Sequence, residues 1–68
     1  MGEQTVIAKR LEAILEKRDI TQADLARMSG LSTALIAQII TGRTKDPHFM
    51  TVVQIAKALD VPLEYFAK

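Results

Sequence analysis

Between Gln22 and Thr41, two short segments with helical apolar spacing meet at a single glycine. That junction limits what the chain can fold into more than any other feature. Thr21-Gln22-Ala23-Asp24 reads as a capping box, with the Thr21 hydroxyl and the Asp24 carboxylate each taking an otherwise orphan backbone N–H at a helix start. The helix so opened stops after Ser29, because Gly30 supplies the positive φ of a tight turn. Leu31 plugs the corner, and Ser32 caps a second helix that runs to about Thr41 and is closed by Gly42. Leu25 and Ala26 lie on the inner face of the first helix, Ala26 being small where the second must cross close by. Ile36 and Ile39 face inward from the second. The pattern specifies a helix-turn-helix, with two helices at a steep angle and the outer face of the second exposed.

The flanking sequence extends the helical reading. Ile7, Leu11, Ile14 and Leu15, with charged residues between them, have the spacing of an amphipathic helix. Asp19-Ile20 breaks it. Arg43 to Pro47 is a polar loop, with Pro47 placed just before a helix start. Phe49, Val52, Val53, Ile55, Ala56 and Leu59 make the next helix apolar over much of its circumference, so it is buried on more than one side, by the domain or by a partner. Asp60 takes the left-handed position after it, and Val61-Pro62 leads into a last short helix. No segment alternates with period two. The expected fold is all-α, a single domain over 1–68 with about five helices at 5–18, 22–29, 33–41, 49–59 and 63–66, joined by short connections.

Composition narrows function further. A chain of 68 residues buries only about 60% of the surface it exposes when unfolded, so its core is thin. It has no cysteine, which excludes disulfides, thiolate metal sites and cysteine nucleophiles, and its one histidine, His48, cannot build a multi-histidine metal site. No Ser/His/Asp set, glycine-rich phosphate loop or enclosed pair of carboxylates is visible, so neither an enzyme nor a cofactor or small-molecule site is expected. No apolar run approaches the ~18 residues of a membrane span, and the N-terminus has neither a basic head nor an apolar block, so a soluble cytoplasmic protein is expected. The net charge of +1 decides nothing about nucleic acid. Only the placement of the charges can.

The chain resembles the lambda-repressor-like family, the Cro and phage-repressor type of transcription regulator. The resemblance covers about Leu11 to Phe66. It rests on Thr21-Gln22-Ala23-Asp24-Leu25-Ala26, Gly30-Leu31-Ser32, Ile36 and Ile39, Thr41-Gly42-Arg43, Asp46-Pro47, and Ile55-Ala56-Lys57-Ala58-Leu59-Asp60-Val61 leading to Leu63. It implies five helices, with the helix after Ser32 laid in the major groove of DNA. It further implies a sequence-specific regulator, a repressor that occupies a palindromic operator as a dimer and excludes polymerase.

The residues can be read against that expectation. The start of the helix at Gln22 offers free backbone N–H groups and a positive dipole end to a phosphate, and Gln22 matches a family position whose side chain also binds phosphate. From Arg27 to Lys45 the chain carries three cations, Arg27, Arg43 and Lys45, and no carboxylate. These cations, with Arg10 near the first helix start, are the expected phosphate contacts, giving a salt slope of about three to five phosphates per subunit. Base contacts are expected from Thr33, Ala34, Ala37 and Gln38. Only Gln38 can bond a base edge bidentately, best to adenine, worth about 1–3 kcal/mol of discrimination. The methyl groups of Thr33 and Ala34 suit thymine.

Two departures from the family bear on this. The third helix carries no charged reader, which shifts weight to DNA shape or dimer spacing. Where some relatives pair an Arg on the first helix with a Glu near the end of the third, this chain has Leu15 and Ile40, an apolar exchange that is often neutral or stabilising.

Each of these residues has a plainer reading. Gln22, Gln38, Thr33 and Ala34 could be ordinary surface residues, Arg43 and Lys45 a solvated loop, and His48 is read as solvated or capping. Large apolar side chains in the last third are mostly core, yet more numerous than a thin domain easily covers. Pro47, Phe49, Val61, Leu63 and Phe66 are therefore expected at a two-fold interface that sets recognition helices ~34 Å apart. The competing expectation is a protein-interaction module on the same scaffold, antitoxin-like or bridging, with the uncharged third helix facing protein. The chain is read as either a complete minimal regulator or the DNA-binding half of a longer one.

Overall fold

The structure is a computed structural model and describes residues 5–44 and 47–66. Three of its helices begin at hydroxyl caps. Thr5 Oγ1 accepts the Ala8 N–H at 3.1 Å and opens α1, Val6–Arg18. Thr21 Oγ1 accepts the Asp24 N–H at 3.0 Å, while Asp24 Oδ2 accepts the Thr21 N–H at 3.1 Å, completing the capping box of α2, Gln22–Ser29. Ser32 Oγ accepts the Leu35 N–H at 3.0 Å and opens α3, Thr33–Ile40. The fourth helix, α4, Phe49–Leu59, follows His48, which is exposed and makes no side-chain cap bond.

The ends differ in chemistry. Gly30 closes α2 at φ 76°, as the turn requires. Two aspartates do the same for α1 and α4: Asp19 and Asp60 adopt φ 57° and 56°. The Ile20 N–H reaches back to the Leu15 carbonyl at 2.9 Å and the Val61 N–H to the Ala56 carbonyl at 3.0 Å, so both ends satisfy carbonyls that would otherwise be orphaned. Thr5 and Thr41 serve as caps rather than helical residues, which shortens the expected first and third helices by one residue each.

The expected fifth helix is corrected. Leu63–Phe66 forms a 3₁₀ turn, leaving four α-helices and no strand among the described residues. Pro62 biases Val61 away from helical backbone, and the Tyr65 N–H bonds the Pro62 carbonyl at 3.0 Å in the i→i+3 pattern.

α2 packs against both α3 and α4, α1 packs against α3, and the 3₁₀ turn closes the end between α1 and α4. One core results, with Leu11, Leu25, Ile36, Ile39, Ile55 and Leu59 fully buried at its centre and no polar side chain buried among the described residues. Leu15 and Ile40 both lie in this core, where an apolar pair leaves no charge to be satisfied. Arg18 donates to the Leu59 carbonyl, so the last turn of α1 caps the last turn of α4. The described part is 29 × 23 × 23 Å across.

Candidate nucleic-acid interface

The eight residues of α3 divide sharply between inside and outside. Ile36, Ile39 and Ile40 are buried, and Leu35 is packed against the core. Thr33, Ala34 and Gln38 are exposed, and Ala37 is half-buried between them. At helical spacing these four side chains share one face, the one turned away from the core. The exposed Gln38 side chain carries both an amide donor and a carbonyl acceptor on this face.

The chain leaving α3 is fixed by its backbone. The Thr41 hydroxyl donates to the Ala37 carbonyl at 2.9 Å, Gly42 turns at φ 83°, and the Thr44 N–H closes onto the Gln38 carbonyl at 3.1 Å. Arg43 is held exposed within this closed loop, directly after the α3 face. Lys45, the other expected cation of the loop, lies outside the described residues, as does Asp46.

At the opposite end of the motif, Gln22 is the first residue of α2 and half-buried. The N–H groups of Gln22 and Ala23 have no acceptor within the helix, which leaves donors beside the Gln22 side chain. Arg27 is exposed but not uncommitted, since its guanidinium is paired with the Asp24 carboxylate. That carboxylate is held below its ordinary pKa, first by the Thr21 backbone N–H, then by the Thr21 hydroxyl, with the Arg27 charge adding to both. Arg10 stands apart from this group. Its guanidinium lies 5.9 Å from the Tyr65 ring centre, and its carbonyl accepts the Tyr65 hydroxyl at 3.3 Å, so it belongs to the junction of α1 with the 3₁₀ turn.

The residues expected to meet a second copy, Pro47, Phe49, Val61, Leu63 and Phe66, differ in exposure, and Met50 beside Phe49 is exposed as well. Phe49 is 66% exposed, Met50 63% and Leu63 38%, while Pro47 and Val61 are half-buried. Phe66 is a correction: it is 5% exposed, a core residue set edge-on to Tyr65, and so offers little surface to another molecule. The 3₁₀ turn folds back onto α1, and that carries Phe66 inward while Leu63 stays outside.

Met50 was missed by sequence reasoning as a surface residue, and so was the Arg18 contact with Leu59, made 41 positions away. The Asp24–Arg27 pair had a local signature, opposite charges three residues apart on a helix. Among the described residues no group of three or more His, Cys, Asp or Glu could hold a metal ion, and no helix is long and apolar enough to cross a membrane.

Comparison with known proteins agrees with the geometry. The family model described as helix-turn-helix matches residues 11–66. The HTH-type transcriptional repressor RghR of Bacillus subtilis (strain 168) is 38% identical over 56 residues, which is 82% of this chain and 42% of the repressor. The chain therefore spans less than half the length of that curated relative. No solved structure gives a significant match.

Proposed function

Because the chain belongs to the helix-turn-helix family, we propose that it is a sequence-specific, double-stranded DNA-binding transcription regulator, a repressor that works by occupancy and not by catalysis. The observation that carries this reading is the two-sided character of α3. Its isoleucines anchor it in the core, while Thr33, Ala34, Ala37 and Gln38, three small side chains and one amide, form its outer face. A helix so held can enter the major groove, which is about 12 Å wide, without a bulky side chain in the way.

In this reading Gln38 reads a base edge, with adenine the best match, and Thr33 and Ala34 pack on thymine methyls. Phosphates meet the α2 start at Gln22 on one side of the groove and Arg43 on the other, with Lys45 a further proposed phosphate contact. The flanking contacts fix the register that the α3 face then reads. Two copies joined through Phe49, Pro47, Val61 and Leu63 would present their recognition helices about one DNA turn apart, ~34 Å, to a palindromic operator. The repressor name of the Bacillus subtilis relative supports the direction of regulation proposed here.

Selection of binding sites from a random duplex pool tests the proposal. The expected result is an enriched site with two inverted half-sites, A·T-rich at the contacted positions, and an affinity that falls with salt. A pool without enrichment, together with duplex affinity indifferent to salt, would instead favour a protein-interaction scaffold using the exposed Phe49 and Met50.

A further inference from the structure

Asp24 does two things at once. Its Oδ2 accepts the Thr21 N–H at 3.1 Å, as the capping box requires, and its Oδ1 receives the guanidinium of Arg27 one turn along α2. Surface ion pairs are weak chiefly because two long side chains must be ordered to form them. Here the acid is short and already fixed by the helix cap, so only Arg27 has to be ordered. The Arg27 side chain remains 76% exposed. It is accessible to solvent, but its charge is answered within its own helix.

The position of the pair gives it a consequence. Asp24 lies in the first turn of α2, beside the backbone donors of Gln22 and Ala23 that are proposed to meet a phosphate. A carboxylate there offsets the positive end of the helix and repels an approaching phosphate. Sequence-independent DNA binding is almost entirely electrostatic and grows with each cation delivered to the backbone. We infer that Asp24 is a positioning residue that holds Arg27 off the DNA backbone and so limits sequence-independent binding, an inference that rests on the DNA-binding reading above. The α3 face has no charge of its own, so phosphate contacts on its flanks set how strongly the protein is retained by bulk DNA. Asp24 lowers that retention by one cation.

The test is a double-mutant cycle, Asp24→Asn, Arg27→Ala and the pair together, on a random-sequence duplex and on the selected site, over a range of salt concentrations. Asn keeps an acceptor oxygen for the Thr21 N–H while removing the charge, and thermal melting checks that each variant is folded. Asp24→Asn is expected to bind random duplex about three- to tenfold more tightly at low salt, with a log–log salt slope steeper by about one. Arg27→Ala alone should leave the wild-type slope nearly unchanged, and the double variant should lose the steepening. A wild-type slope flattened by about one in Arg27→Ala, whose exposed side chain makes folding a lesser concern, would overturn the inference. So would equal steepening in Asp24→Asn and the double variant, or none in Asp24→Asn. In each of those cases wild-type binding still stands and the DNA-binding reading survives. A wild type that binds no duplex at all overturns both.

Discussion

Gln38 concentrates the proposed discrimination in one side chain, since its neighbours on the outer face of α3 offer methyl groups and at most one hydroxyl. Gln38→Ala should therefore lower affinity for the selected site by about 1–3 kcal/mol while leaving random duplex nearly unaffected. Competition titrations against single-base operator variants check this. An unchanged rank order of variants would remove Gln38 from base readout. Asp24 makes a different prediction, about pH. Its folded pKa is depressed, first through the Thr21 backbone bond, so its contribution is fully present above the ordinary Asp value, about 4, and is lost as pH falls through the lower folded value. Thermal melts of the wild type should accordingly show a loss below about pH 4 that is diminished in Asp24→Asn. Both residues were legible from the sequence, Asp24 through the Thr21 spacing and Gln38 through its outward position after Ser32. The commitment of Arg27 to Asp24 was not read, although its spacing allowed it. Whether a surface pair closes depends on how firmly each partner is already held.

At the scale of elements, caps were the most readable features and tertiary ties the least. Hydroxyl caps act on donors within three residues, so local sequence specifies them at Thr21 and Ser32, whereas Thr5, expected as the first helical residue, is the cap in the structure. Two C-terminal aspartates in left-handed backbone are tolerated rather than optimal, and a carboxylate at that end also opposes the helix dipole. Asp19→Gly and Asp60→Gly, measured singly by denaturant unfolding, should each stabilise the fold by about 0.5 kcal/mol, the relief of strain being partly offset by the looser unfolded chain. The proximity implied by the Arg18 bond to Leu59 means the two need not add. The 3₁₀ turn shows the limit of element reading. Four residues after a proline carry too few internal bonds to choose α over 3₁₀ geometry, and packing on α1 decides.

For the whole molecule, stability is concentrated in a few side chains at the meeting of α1, α2, α3 and α4. Ile36 is fully buried on the inner face of α3. Ile36→Ala should cost about 2–5 kcal/mol in chemical denaturation and weaken DNA binding in proportion to the fraction unfolded. A mutant retaining full stability would mean that α3 is anchored elsewhere. The exposed start of α4 carries a separate expectation. Phe49→Ser should leave melting of the isolated protein little changed but shift sedimentation on operator DNA toward one protomer per site, with cooperativity lost. A monomer observed for the wild type, both free and on operator, would refute the two-fold arrangement.

The amino-acid sequence alone determined the helical class, the caps at Thr21 and Ser32, the Gly30 corner and which face of α3 is apolar, because each follows from spacing and backbone preference within a few residues. The fate of the large apolar side chains in the last third was decided only by tertiary structure. Phe49 and Phe66 are the same residue type, yet the fold leaves one 66% exposed and the other 5%. Burial is a property of what lies opposite a side chain. The 3₁₀ turn, packed on α1 and α4, brings Phe66 into the core, while Phe49 at the start of α4 stays outside it, so composition could count these residues but not sort them.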